Sequence, residues 1–276
     1  MSTVDARFCG GTGRCGTALL GSILADHPAV AYFREPRFLS DPNGLCDYVR
    51  GKTPLATFRE YMVKRFRRNL VNKLRLQEMA DVGAIYSPDV IYEVMNLTLQ
   101  DRGDRVADGR AFVLLLFGKM SRPYWVEKTP HTVTCVDVLY WMFPNMRYVH
   151  LIRDPRDVFA SLLHQHWGPK AGPAFVRWYN DIMEQARIAY ASVHPCNYIV
   201  VSLETLVTQP FETMELLLDF LEIPYEADWL CATIEKRVDR DRANIGRHSE
   251  LSKRDLGIIR RECWNLYEYW KGQEHA

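Results

Sequence analysis

Short apolar runs of strand length alternate along this chain with longer stretches whose apolar positions recur every three to four residues. Residues 4–9 read as a first strand running straight into a glycine-rich loop, and residues 17–26 as the helix that follows. His27-Pro28 ends that helix, because the residue before proline is pushed out of the α region. Residues 29–33 read as a second strand. Asp41-Pro42-Asn43-Gly44 is a turn signal, and residues 53–79 and 87–102 carry amphipathic helical patterns. Residues 40–120 are thus expected to form a helical insertion between strands, with polar residues 101–110, holding Gly103 and Gly109, as its clearest loop.

The strand and helix alternation resumes at residues 124–127, continues through Lys128-Thr129-Pro130 into a helix reaching Trp141, and returns to a strand at 146–152. A helix opening at Asp154-Pro155, a long helix over 173–193, a strand over 197–203 and helices over 204–221 and 251–270 complete the pattern. Four or five strands separated by helices predict an α/β fold, its mostly parallel central sheet flanked by helices on both faces. No repeat, low-complexity tract or linker marks a boundary, so residues 1–276 are expected to form one domain.

Composition narrows the chemistry. At 47% hydrophobic and 25% charged, the chain can bury a sizeable core. Its 35 basic and 34 acidic residues leave a net charge of +1, which argues against nucleic acid as a partner. Any anion site must be local. Seven cysteines, an odd number with no C-x-x-C pair, suit reduced thiols better than a disulfide framework or a zinc site. No secretory leader is legible before the first strand. The apolar run 111–117 falls far short of the ~20 residues a membrane span needs. These features predict a cytoplasmic protein with no membrane partner; oligomeric state is not legible.

The loop Gly10-Gly11-Thr12-Gly13-Arg14-Cys15-Gly16-Thr17 nearly satisfies G-x-x-x-x-G-K-[ST], but Thr17 stands where the lysine belongs. Such a loop presents backbone N–H groups and a helix N-terminus to phosphate oxygens. The missing lysine would serve the β- and γ-phosphates of a triphosphate, so its absence points to another anion, with Arg14 as a compensating charge. A second candidate lies at His150-Leu151-Ile152-Arg153-Asp154-Pro155-Arg156-Asp157. A strand delivers Arg153 at its carboxyl end, Asp154 is an N-cap, Pro155 the first helical residue, and Asp157 sits at the capping-box position. Ser161, eight residues past Arg153, adds a hydroxyl near the same helix start. Pairing of Arg153 and Arg156 with the nearby aspartates is the purely structural alternative.

Together these motifs resemble the sulfotransferase superfamily that uses 3′-phosphoadenosine 5′-phosphosulfate (PAPS) and releases PAP, in the branch holding tyrosylprotein sulfotransferases and many bacterial members. Gly11-Thr12-Gly13-Arg14-Cys15-Gly16-Thr17-Ala18-Leu19-Leu20 is similar to its 5′-phosphosulfate loop, G-T-G-R-S-G-T-T-L-L, departing at Cys15 and Ala18, where two hydroxyl contacts would be lost. The resemblance implies a P-loop-like fold, a 3′-phosphate held by Arg153 and Ser161, Glu35 as general base, and Lys128 of Glu127-Lys128-Thr129-Pro130 stabilising the sulfuryl group without a metal. It also implies that Leu203, where many members carry an aromatic residue, and Gly246 with Arg247 of Asn244-Ile245-Gly246-Arg247 touch the nucleotide. Gln165 stands where some members place a basic ligand.

The expected reaction is in-line sulfuryl transfer from PAPS to a hydroxyl or amine of a small-molecule acceptor. A P-loop nucleotide kinase or NTPase, and a catalytically silent PAP-binding protein, are the alternatives. His131, His164 and His166 are rival bases. Lys64, Arg65, Arg67, Arg68, Lys73 and Arg75 form either a solvated helix face or a dock for an acidic carrier protein. Trp141, Trp178 and Trp264 are expected in the core, and Tyr86 and Tyr92 are candidates for an acceptor pocket.

Overall fold

Five short strands, each nearly or fully buried, supply the frame of the computed structural model, which describes residues 4–71, 87–100, 103–120, 122–239 and 243–274, with side chains described outside 67–71. They are β1 (Arg7–Gly11), β2 (Val30–Arg34), β3 (Tyr124–Lys128), β4 (Arg147–Ile152) and β5 (Tyr198–Ser202). All pair in parallel, in the order β2-β3-β1-β4-β5. Strands buried on both faces need no polar alternation, which is why they read as continuous apolar runs. Successive residues still face opposite sides. Phe8, Phe33 and Tyr148 join one apolar cluster, whereas Cys9, Tyr32 and Val149 join the other.

The insertion packs on the first of these faces. It comprises α2 (Leu45–Val49), α3 (Leu55–Val71), α4 (Pro88–Thr98) and α5 (Arg105–Phe117), following α1 (Thr17–Ala25) and β2. Phe58, Met62, Val94 and Phe112 share a cluster with the sheet residue Phe33, whose ring stacks on Phe117 at 4.0 Å. The expected ends of the two insertion helices, residues 72–79 and 101–102, lie outside the described residues.

Residues 105–110, expected as part of a loop, are helical. Asp104 accepts the Ala107 N–H at 2.9 Å and caps α5. Gly109 lies inside that helix, where a Cβ would stand 2.7 Å from Val49 Cγ2 and 2.8 Å from Met142 Sδ. It is a packing glycine. The remaining helices are α6 (Val136–Met142), α7 (Pro155–Leu163), α8 (Gly172–Tyr190), α9 (Leu203–Thr208), α10 (Pro210–Phe220), α11 (Ala227–Arg237) and α12 (Lys253–Lys271). The single helix expected over 204–221 is two, because Pro210 opens a new one. Trp141, expected in the core, is 46% exposed on α6, while Trp178 and Trp264 pack partly buried against it. Among the described residues no helix is long and apolar enough to cross a membrane.

The parallel register fixes what matters for chemistry. Cys9 lies beside both Lys128 and Val149, and Arg34 beside Lys128. The glycine loop after β1, Glu35 after β2, Lys128 at the end of β3 and Arg153 after β4 therefore emerge together at the carboxyl edge of the sheet, where open α/β folds bind ligands.

Candidate active site

A cavity of about 880 Å³ opens at that edge. Gly13, Arg14, Gly16, Thr17, Ala18 and Leu19 form its floor. The loop owes its shape to positive φ angles at Gly13 (85°), Arg14 (60°) and Gly16 (100°). Gly16 is the N-cap of α1 and brings no side-chain cap, so the first turn of the helix meets the cavity with its backbone. A Cβ at Gly16 would also lie 2.7 Å from Leu203 Cδ1, so this glycine answers both to conformation and to close packing.

Cys15 behaves differently from the ligand-facing residue expected. Its side chain is fully buried in the second apolar cluster and does not line the cavity. Burial pushes its thiol up, against hydrogen bonds from the Gly13 and Thr17 backbone and the Thr12 side chain. The sulfur lies against the loop's own backbone, away from the cavity lining.

Residues from the two predicted anion motifs meet at one end of the cavity. Arg14 Nε donates to Ser161 Oγ at 2.9 Å, and Arg153 Nη1 donates to the Arg14 carbonyl at 3.0 Å. Arg153 Nη2 donates to the Asn244 carbonyl at 2.6 Å. The guanidinium is 4% exposed, and its Nε is buried without a hydrogen-bond partner. A buried donor left open in this way is costly unless a ligand completes it. Burial lowers the Arg153 pKa, opposed by the charges of Asp157 and Glu204. Arg156 turns away: it pairs with Asp154 at 2.5 Å and lies over the Trp264 ring.

Glu35 and Lys128 meet as the sheet register requires. Lys128 Nζ stands 2.5 Å from Glu35 Oε1, with the lysine side chain 1% exposed and the glutamate 45%. The Glu35 N–H donates to the Lys128 carbonyl at 2.7 Å, which extends the strand pairing to the catalytic candidate. Partial burial works to raise the Glu35 pKa, but the Lys128 charge and hydrogen bond, with Arg34 and Arg37 behind them, prevail and hold it below its usual value. Glu35 (φ 50°) and Arg37 (φ 64°) are both left-handed without being glycine, a strain found where a site over-determines its backbone.

Glu127 does not pair with its neighbour Lys128. The fully buried carboxyl accepts from Thr129 Oγ1 at 2.5 Å, and Thr129 Oγ1 in turn accepts the Arg37 N–H at 3.3 Å. Burial pushes Glu127 up to about 8, against the Thr129 hydrogen bond and the Lys128 charge. Of the rival bases, His131 lines the cavity with its pKa lowered by burial, and His164 contacts Glu250 at 3.1 Å instead.

Of the residues singled out in the sequence, Gly13, Arg14, Gly16, Thr17, Ala18, Glu35, Arg153, Ser161 and Leu203 line the cavity. Cys15, Lys128, Gly246 and Arg247 do not. Lys128 still reaches the site through Glu35, whereas Arg247 pairs with Glu250 at 2.9 Å. Sequence reasoning missed Arg37, Trp167 and residues 235–239 on the walls. The last of these is anchored to α1 by Arg237 and Lys236 on Asp26, an ion-pair cluster with no local signature. Tyr92 is exposed on α4 and lines no part of this cavity, and Tyr86 lies outside the described residues. On α3, Arg65 reaches Asp41 and the Pro36 carbonyl, so the basic face is partly structural. Arg67, Arg68, Lys73 and Arg75 lie outside the described side chains.

Comparison with known proteins agrees with this geometry. The profile of the sulfotransferase family matches residues 8–227. A putative protein-tyrosine sulfotransferase of Caenorhabditis briggsae is 24% identical over 235 residues, covering 81% of this chain and 67% of that one. An uncharacterized protein of Aquifex aeolicus is 32% identical over 113 residues, 38% of this chain and only 15% of its own length. The protein-tyrosine sulfotransferase of Drosophila melanogaster is 23% identical over 79% of this chain and 38% of its own. Among solved structures, the sulfotransferase domain of the Synechococcus PCC 7002 olefin synthase superposes with a TM-score of 0.58 at 15% identity, covering 96% of this chain and 94% of that one. The sulfotransferase domain from the curacin biosynthetic pathway gives 0.55 at 15% identity, over 95% and 98%. These two likenesses show a shared fold.

Proposed function

This chain belongs to the sulfotransferase family, and from that premise we propose that it transfers a sulfuryl group from PAPS to a hydroxyl or amine of a small-molecule acceptor. The observation that carries the proposal is the Lys128–Glu35 contact of 2.5 Å at the mouth of a glycine loop whose far end gathers Arg14, Arg153 and Ser161. One end suits a phosphate and the other suits group transfer.

The donor fits the residues present. Arg153, with its open Nε, and Ser161 would hold the 3′-phosphate, and the first turn of α1 the 5′-phosphosulfate. A charge-assisted hydrogen bond at such a site contributes roughly 1.5–3 kcal/mol. Arg153 keeps its Nη1 and Nη2 donors on the Arg14 and Asn244 carbonyls, and its Nε is the donor left for the anion.

Glu35, ionised and 45% exposed, can reach an acceptor hydroxyl and take its proton as the acceptor oxygen attacks sulfur. Lys128 then faces a choice of partner. As Glu35 is neutralised by that proton, the ammonium is free to stabilise charge on the departing phosphate oxygen or the sulfuryl oxygens. Sulfuryl transfer moves a group of single negative charge, so one lysine and aligned backbone amides offer the neutralisation it needs.

Glu35→Gln and Lys128→Ala should each lower turnover by roughly 10²–10⁴-fold while leaving PAP binding within a few-fold. Transfer of radiolabelled sulfate from PAPS measures the first and calorimetry the second. Full turnover in either variant would remove that residue from the mechanism. The same assay run with simple phenols, alkyl amines and a tyrosine-containing peptide sorts the acceptor class; preference for the peptide would replace the small molecule by a protein side chain.

A further inference from the structure

Asp157 stands where a capping box would turn a carboxylate back onto the Asp154 N–H, yet it does something else. The Asp154 N–H donates to Glu204 Oε1 at 3.2 Å, from the start of α9. Asp157 instead spends both oxygens on a loop about ninety residues away in sequence. Gly246 N donates to Oδ2 at 2.8 Å, and His248 N to Oδ1 at 2.7 Å. His248 Nδ1 also contacts Oδ1 at 2.7 Å. The carboxylate side chain is 2% exposed, so these bonds form away from water and are worth more than surface contacts.

The same loop is gripped a second time by Arg153, through the Asn244 carbonyl, and Arg153 Nη2 lies 3.9 Å from Asp157 Oδ2. Asn244 (φ 56°) and Gly246 (φ 78°) are both left-handed, a shape that an isolated loop holds poorly. Ala243 and Asn244 form part of the cavity wall. The connection from β4 to α7 therefore presents an anion ligand, Arg153, and the first turn of α7 presents the clasp of the wall beside it.

We propose that Asp157 is a positioning residue: its carboxylate clasps residues 243–248 against Arg153 and so closes the 3′-phosphate end of the cavity. The assignment of that end rests on the donor reading above; the clasp itself does not. Asp157 touches no reacting atom. Its effect falls on how long a 3′-phosphorylated nucleotide stays bound, acting through Arg153 and the wall.

Three readouts test this. Hydrogen exchange on the ligand-free protein should show the Gly246 and His248 amides protected, with protection lost in Asp157→Asn; unprotected amides in the unmodified protein would overturn the clasp. Calorimetry with PAP and with AMP, which lacks the 3′-phosphate, should show PAP affinity falling about 10- to 100-fold in the variant and AMP affinity unchanged. Equal losses for both nucleotides, or no loss for PAP, would overturn the positioning role. Failure of the unmodified protein to prefer PAP over AMP would overturn the donor reading instead and leave the exchange result standing. His248→Ala removes one contact from a partly exposed side chain and should act in the same direction to a smaller degree, which keeps the claim testable should Asp157→Asn not fold.

Discussion

Lys128 is withdrawn almost completely from solvent and keeps its ammonium on one carboxylate, Glu35. Removing that lysine leaves partial burial to dominate, so Lys128→Ala should raise the Glu35 pKa, a shift an NMR titration of the labelled glutamate would read. No upward shift would mean that the contact is not formed in solution. The sign for stability follows the same way. Glu35 is held below its unfolded value, so its contribution is present above the ordinary carboxylate range and is lost as pH falls through the folded value. Glu127 has the opposite sense. Its folded pKa is raised to about 8, so the folded state binds the extra proton and stability declines as pH rises from the usual carboxylate value toward 8. Glu127→Gln should flatten that decline in thermal melts between pH 5 and 8; an unchanged slope would assign it elsewhere. Glu35 and Lys128 were singled out only through the resemblance of their motifs to a family, whereas Arg14 and Arg153 were legible because glycine, proline and charged side chains at strand ends carry local meaning. Asp157 was misread for the same reason. Its spacing matched a capping box, and only the tertiary structure shows Glu204 taking the Asp154 N–H.

Helix α1 starts at the cavity lining with no side-chain cap, an opening that does not serve helix stability. Gly16 offers no capping side chain and lies against Leu203, so Gly16→Ala meets both a left-handed backbone and a 2.7 Å clash. The cost should be on the order of 1–3 kcal/mol, with PAP binding lost even where the variant still melts cooperatively; a neutral alanine there would contradict the loop geometry. Helix α5 is the converse case. Gly103 before it, Gly109 within it and the dense charges imitate a loop, but Asp104 caps the helix and Gly109 lets Val49 and Met142 approach. Local propensity was overridden by packing that no short window contains. Asp104→Ala should cost about 1 kcal/mol, read as a lowered Tm without loss of donor binding.

At the scale of the molecule, near-zero net charge and a local anion cavity are two views of one design. The 35 basic and 34 acidic residues largely cancel, while the parallel sheet delivers Arg14, Lys128 and Arg153 to a single edge. The parallel sheet and the candidate anion loops at its strand ends were legible from the alternation of elements; the strand order was not. The wall at residues 235–239 was not legible either, because it is held by long-range ion pairs, and of the motif at 244–247 it is Asn244, not Gly246 or Arg247, that lines the cavity. The central claim is that this edge accepts a nucleotide phosphorylated at both its 3′ and 5′ positions. A thermal-shift comparison of PAP with ATP and NAD, repeated on Arg153→Ala, tests it most directly. The account predicts stabilisation by PAP alone, abolished in the variant; stabilisation by ATP with no response to PAP would contradict it.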